Sequence, residues 1–410
     1  MRIAIVSDYY FDYVGGAQTS MRQQKLALEA AGHTVIVVSP ARGAFGRTYR
    51  LVDDGLLVKP LFRLPVLDLA VIPNNDKSVT ALETYLRAER IDVVHVQTEF
   101  GLAHVADAAA GRIGIPLVHT VHSFYWASEG PPQASVAWFI RWALERTIGE
   151  KIPRLLFTPR KTDNLLRNLV LAMARKAKQV VSPSAHQAAD LAAAGVTGTI
   201  SVIPNPIAIS AIAPNTLTIE QARTPNFLWV ARCEPVKRPL PFARAAIEAL
   251  ARTGNGFTVD FVGEGADLAA LKKIAANHPN IRIHGALPHR EVLALMDSCS
   301  AIALTSLGFD NQPMTIAEAV SRERGVLYCD PKLSEGLQNS GFLSATPDEA
   351  GLADAIVELV SDPSLLVGLS EGARIDRELF SPTTYVERIV AVYRAKPQLP
   401  DVKPDGQPTL

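Results

Sequence analysis

Apolar residues in this chain come in short runs, each closed by polar residues and followed by a longer amphipathic stretch. RIAIVS, at 2–7, reads as a first strand. The loop SDYYFDYVGGAQTS leads into a helical stretch through Ala31, which Gly32 and His33 stop. TVIVVS then reads as a second strand, at 34–39. Strand, helix and strand in series imply a parallel sheet. The same pattern predicts strands at 92–96, 116–121, 179–182 and 200–203, with helices between them.

The rhythm then breaks. VIPNPIAISAIAPNTLTIEQARTPN carries Pro204, Pro206, Pro214 and Pro225 without a period, and reads as a linker. NFLWVARCEPVKR restarts the alternation, with strands expected near 258–262, 281–284, 301–305 and 326–329. The expected architecture is α/β, with two doubly wound Rossmann-like domains facing across a cleft. They occupy 1–205 and 206–380. A last helix near 384–395 lies in a C-terminal segment, 381–395, and the Pro-rich tail 396–410 is expected to be disordered. In such sheets, ligands sit beyond the carboxyl ends of the strands. Functional residues are therefore sought in the loops that follow strands.

Composition narrows the classes. A chain of 410 residues, 48% of them apolar, is too long for one ordinary core. A formal net charge of zero gives no global field for nucleic acid. Cys233, Cys299 and Cys329 are scattered, with no metal or redox spacing, and suit a reducing compartment. The N-terminus lacks a signal-peptide pattern, and no apolar run is long enough to span a bilayer. The expectation is a cytoplasmic protein.

Four places could carry chemistry. Gly15-Gly16 opens the first helix: it is either a turn needing positive φ or a place where backbone N–H groups approach a phosphate. The loop lacks GxGxxG, which argues against an ordinary dinucleotide site and a dehydrogenase. His122, in VHTVHS, follows a strand and is either structural or catalytic. Arg232 and Lys237 flank a strand-to-helix loop, where they are either solvated or neutralise a diphosphate. In TSLGFDNQPMTIAEA, Pro313 suits the first turn of a helix that Asn311 or Gln312 would cap. Asp310 then lies in the loop and Glu318 about two turns on, in an apolar setting that argues against a solvated face. Carboxylates so placed can accept hydrogen bonds from sugar hydroxyls.

Taken in order, these features resemble glycosyltransferase family 4, retaining enzymes of GT-B fold, over about residues 1–395. The glycine loop, His122, VIPNPI, the basic pair, the turn Phe261-Val262-Gly263-Glu264-Gly265 and Asp310-x7-Glu318 stand in the family's order. The resemblance implies hexose transfer from a nucleotide-diphosphate sugar, UDP- or GDP-linked, with no metal or other cofactor. It implies that Arg232 and Lys237 offset charge on the leaving diphosphate and that the loop of Gly15 and Gly16 brings backbone N–H groups near that phosphate or the acceptor. Gly263, Asn311 and Gln312 join the donor site, and Leu287, in the loop Gly285 to Pro288, lies where the base is met. Asp310 would hold the transferred sugar, Glu318 the ribose, and His122 would orient the anomeric centre. The final helix would cross back to the first domain. Two departures stand out: Asp310 replaces a glutamate of the family's E-x7-E motif, and the charged SRERG replaces a small, Gly-rich turn.

Residues 138–178 hold ten Arg or Lys against three acids, with Trp138, Phe139, Trp142 and Phe157 interleaved. This pattern suits an anionic membrane surface; the alternative is a solvated helical insertion packed on the first domain. With VHTVHSFYW, it resembles lipid-directed members such as diacylglycerol and phosphatidylinositol glycosyltransferases. The expected acceptor is a lipid, a lipid-linked sugar or another glycan, met at the inner face of the plasma membrane. The competing expectations are a sugar-nucleotide-binding protein without transfer, or a transferase with a soluble acceptor. No nucleic-acid module accompanies the charge.

Overall fold

The computed structural model describes residues 1–11, 15–42, 49–52, 55–64, 69–125, 134–207 and 215–395. The expected disorder of 396–410 and the middle of the linker, 208–214, lie outside the described residues. Two large sheets organise the chain. The first contains β1 (Arg2–Val6), β2 (Thr34–Pro40), β3 (Tyr49–Val52), β4 (Gly55–Val58), β7 (Val93–Val96), β8 (Leu117–Thr120), β9 (Gln179–Ser182) and β10 (Thr199–Val202). Its order is β10-β9-β8-β7-β1-β2-β4-β3, parallel except for β3 against β4. β5 (Phe62–Leu64) and β6 (Leu69–Val71) form a separate antiparallel pair. The second sheet contains β11 (Asn226–Val230), β12 (Thr258–Val262), β13 (Ile281–Gly285), β14 (Ala301–Leu304), β15 (Gly325–Tyr328) and β16 (Gly341–Leu343). It is parallel throughout, in the order β13-β12-β11-β14-β15-β16. This is the GT-B arrangement of two Rossmann-like sheets.

Why the central strands read as unbroken apolar runs is visible in β1. Ile3 and Ile5 pack into one core, with Met21, Leu28, Ile389 and Tyr393. Ala4 and Val6 pack into the other, with Val94, Leu102 and Ala106. Both faces are covered, so alternation disappears. The last helix, Pro382–Arg394, belongs to the first of these cores through Tyr385, Ile389 and Tyr393. Among the described residues, no helix is long and apolar enough to cross a membrane.

Each sheet has a point where strand order reverses. In the first sheet it is β1/β7, because the chain runs outward from β1 through β2 and later from β7 through β8. In the second it is β11/β14. Crevices open outside the carboxyl ends of strands at such points. The loops after β1, β11 and β14 are those that the sequence singled out, and His122 follows β8, beside β7.

The charged turn SRERG is not solvated. Arg322, Glu323 and Arg324 are buried, and Arg324 donates to the carbonyl of Asn215 at 2.6 Å and to that of Asp297. Glu323, at φ +57°, accepts from Arg377 at 2.7 Å and from Thr216. Backbone carbonyls and an ion pair whose carboxylate is buried replace water here, and they tie the segment that leaves the linker to the second sheet.

Candidate functional site

A cavity of about 510 Å³ opens where the two switch points face each other. From the first-sheet side it is lined by Gly15, Gly16, Ala17, His122, Phe124 and Tyr125. From the other side come Arg232, Lys237, Phe309, Asp310, Asn311 and Gln312. Asn205, in the crossing segment, also lines it. Gly263, Leu287 and Glu318 are not in the lining.

Gly15 caps the first helix, Gly16–Ala30, at φ −156°, an extended conformation open to any residue. Neither Gly15 nor Gly16 has positive φ, so the turn reading of this pair is corrected. A Cβ placed on Gly16 would meet nothing within 4 Å. The first turn of a fifteen-residue helix, with its unpaired N–H groups, therefore lies bare at the cavity. Gly263 has a different task. It sits at φ +142°, and a Cβ there would lie 1.8 Å from the carbonyl oxygen of Ala231. Only glycine lets the β12 loop close against the loop that carries Arg232.

Lys237 is held by a proline-bracketed turn. Pro235 opens the 3₁₀ turn Pro235–Lys237, and Pro239 opens the helix Pro239–Arg252. Between them, Arg238 takes φ +56°, and its guanidinium donates to the carbonyls of Thr305 and Pro347. Thr305 also donates to the carbonyl of Lys237 at 2.9 Å and accepts from Trp229 Nε1 at 3.0 Å. The Lys237 ammonium lies 5.1 Å from the centre of the Phe309 ring and 2.5 Å from Asp310 Oδ1. Ser306 donates to the other oxygen of Asp310. The pair is largely withdrawn from water, with the side chains 15% and 11% exposed. Arg232 differs: it pairs with Glu234 at 2.7 Å and stays 63% exposed. Arg232 and Lys237 thus both hold carboxylates.

Pro313 is the N-cap of the helix Met314–Ser321, not a residue of its first turn, and no side chain caps that helix. The expected capping by Asn311 or Gln312 is therefore corrected. Their amides reach across the cavity instead. Asn311 donates to the carbonyls of Val121 and His122 at 3.3 and 3.4 Å and accepts from Ser184. Gln312 Oε1 accepts from the backbone N–H and the side chain of Asn205 at 2.8 and 2.7 Å. Tertiary partners outcompete the local cap because these groups are removed from water and need a bond somewhere. Glu318 accepts from His289 Nε2 at 2.9 Å, and that contact raises the histidine's pKa.

His122 Nε2 lies 2.5 Å from Gln97 Oε1, and burial pulls its pKa down to about 4. The ring is neutral at physiological pH, so it can orient a hydroxyl but brings no positive charge. The sequence reading missed Gln97, Asn205, Phe309 and Tyr125. Asn205 stood inside VIPNPI and Gln97 directly after β7, so position relative to strand ends was the available signal.

Comparison with known proteins gives concordant findings. A family model described as Glycosyltransferase Family 4 matches residues 14–211, and one described as Glycosyl transferases group 1 matches residues 224–362. An alpha-monoglucosyldiacylglycerol synthase of Acholeplasma laidlawii is 22% identical over 417 residues, covering 96% of each chain. A glycogen synthase of Mycobacterium tuberculosis is 27% identical over 402 residues, covering 91% of this chain and 89% of its own. The structure of Anabaena HepE in complex with UDP and glucose superposes with a TM-score of 0.61 at 17% identity, covering 95% of this chain and 98% of that one. The fold is shared with it.

Proposed function

The chain belongs to glycosyltransferase family 4, and from that premise we propose that it moves a hexose from a nucleotide-diphosphate sugar, with retention, to a lipid or lipid-linked acceptor at a membrane surface. The observation that carries the donor half is the pairing of Lys237 with Asp310 beside a bare helix N-terminus. A donor entering the cavity exchanges those partners. Its diphosphate takes the Lys237 ammonium, with Arg232 and the N–H groups beyond Gly15, and its sugar hydroxyls take the Asp310 carboxylate. Charge that builds on the leaving diphosphate is then met by groups already in place. Glu318 takes the ribose hydroxyls by releasing His289. In a front-face transfer the leaving phosphate oxygen accepts the proton of the acceptor hydroxyl, so no separate base is required, and His122 orients the reacting sugar. Support for UDP-glucose chemistry comes from the UDP and glucose bound by the HepE neighbour.

The lipid acceptor draws support from the diacylglycerol-directed relative and from the helix Ala134–Ile148. On that helix Trp138 and Trp142 stand 71% and 51% exposed one turn apart, with Phe139 beside them. Such a face suits the interfacial region of a bilayer. The glycogen synthase relative favours a second reading, a soluble glucan acceptor. Thermal denaturation with a panel of UDP- and GDP-sugars tests the donor half. The expected result is a rise in Tm with one donor, lost in Arg232→Ala; no rise with any sugar nucleotide would sink it. Turnover with diacylglycerol or phosphatidylinositol in vesicles, against a glucan, then separates the acceptors, and NMR of the product reads the anomeric configuration.

A further inference from the structure

Behind His122 runs a chain of buried amides whose two ends both lie at the cavity. Gln97 Oε1 meets His122 Nε2, and Gln97 Nε2 lies 2.9 Å from Gln24 Oε1. Gln24 Nε2 lies 2.9 Å from Ser20 Oγ and 3.3 Å from Asn205 Oδ1, and Ser20 donates to that same oxygen at 2.5 Å. Asn205 Nδ2 lies 2.7 Å from Gln312 Oε1. Gln97, Gln24, Ser20 and Asn205 are all buried.

The direction of this chain is not free. A primary amide can present either end, so its orientation follows from its neighbours. One neighbour here is unambiguous: the backbone N–H of Asn205 can only donate, and it points at Gln312 at 2.8 Å. Gln312 must therefore present oxygen, and the Asn205 side chain must present nitrogen to it. Asn205 oxygen then faces Gln24 nitrogen, Gln24 oxygen faces Gln97 nitrogen, and Gln97 oxygen faces His122. His122 is left to donate from Nε2. We infer that Gln97 is the positioning residue of His122, holding the neutral ring with its proton on Nε2 and its lone pair on Nδ1, in an orientation fixed by the crossing segment at Asn205.

Both ends of the chain then have defined chemistry at the cavity. Nδ1 of His122 is an acceptor for a hydroxyl O–H. At the other end, Gln312 Nε2 is buried without a protein partner. It is a spare donor just beneath the lining to which Gln312 contributes, and a ligand oxygen meets it once that side chain shifts. A sugar hydroxyl and a phosphate oxygen have these two complementary demands. The inference rests on the transferase reading only in giving His122 a substrate to touch.

The titratable groups around the ring fit a neutral role. His95, on β7, and His119, on β8, have pKa values of about 3, pulled down mainly by burial and further by His122. Tyr393 of the last helix meets His95 Nδ1 at 2.8 Å, and burial raises its pKa. Arg232, Lys237 and Asp310 stand on the opposite lining. No carboxylate is hydrogen-bonded to the His122 ring among the described residues.

Long-range ¹H–¹⁵N correlation on the full chain carrying ¹⁵N-histidine reads the tautomer without turnover; His122→Gln assigns the signal. The expected spectrum shows Nε2–H across about pH 6 to 8. In Gln97→Glu the carboxylate favours the imidazolium, so the ring's titration and the acid limb of kcat should move up together by about 1–3 pH units. In Gln97→Met the proton should spread over both nitrogens and kcat should fall about tenfold, while KM for the donor stays within about twofold. A wild-type ring protonated on Nδ1, or an acid limb unmoved in Gln97→Glu, overturns the inference. Absence of transfer with every donor would sink the functional reading alone, since the wild-type tautomer still decides this one.

Discussion

The wall of the cavity that hangs from the first sheet is neutral, whereas the wall from the second sheet is charged. On the first, His122 is uncharged and held by amides, Gly16 offers backbone N–H groups, and Phe124 and Tyr125 add apolar surface. On the second, Lys237 is paired with Asp310 and Arg232 with Glu234. The neutral wall is already in the arrangement it needs, because its bonds run backward into the protein. The charged wall must give up a partner to take a ligand. Affinity and charge stabilisation should therefore be concentrated on the second sheet, and orientation on the first.

The sharpest way to break this division is Lys237→Ala. Removing one preorganised group from developing charge typically costs about 10²–10³ in rate. That loss in kcat/KM is expected here, with the donor-induced rise in Tm also reduced and Asp310 left without its cation. A His122→Ala variant that lost as much donor affinity as Lys237→Ala would show that the walls do not divide the work in this way.

Asp310→Glu sharpens the comparison inside the charged wall. The aspartate reaches both Lys237 and Ser306 with its present arm. An added methylene pushes the carboxylate towards the sugar position, so preference among donor sugars should change by about tenfold, comparable to other single-methylene effects. Competition assays with paired UDP- and GDP-sugars measure it. Unchanged preference and rate would mean that the shorter arm carries no selectivity.

Legibility in the sequence followed the same divide. The central strands were readable because burial on both faces makes them continuous apolar runs. β3 was not, since Tyr49–Val52 is exposed along its length and carries no alternation. Lys237 and Asp310 could be named from the order of motifs, but not that they pair across 73 residues of sequence. Asn311 and Gln312 looked like caps because Asn and Gln satisfy helix ends locally, and only the fold supplies Ser184 and Asn205 as competitors. Gln24 and Gln97 carry no spacing signal, since a buried amide network is assembled from four separate loops and helices. The charged SRERG stood out only as a departure from a small turn, because the carbonyl acceptors that bury Arg324 leave no trace in composition.

The smallest effect tests the outside of the neutral half. The basic segment 138–178, whose pattern suits an anionic membrane surface, includes Arg175 and Lys176. Arg175, however, donates to the carbonyl of Ala194, and Lys176 pairs with Asp107 at 2.8 Å and with Glu150. Charges spent internally attract lipid less than free ones. The membrane contact should therefore lean on Trp138 and Trp142, with the 90% exposed Leu156 as a third apolar group of the same segment. Trp138→Ala with Trp142→Ala should lower cosedimentation with anionic vesicles by about three- to tenfold, as partial withdrawal of two aromatic rings from an interface would. Neutralising Lys176 should change it less and should instead lower Tm, because it removes the cation of Asp107 and leaves Glu150 with His104 alone. KM for a vesicle-borne acceptor should rise with the aromatic loss while donor affinity stays put. Were donor affinity to fall as well, membrane contact and the charged wall would be coupled through the cleft, and the two halves could not be treated as separate contributors.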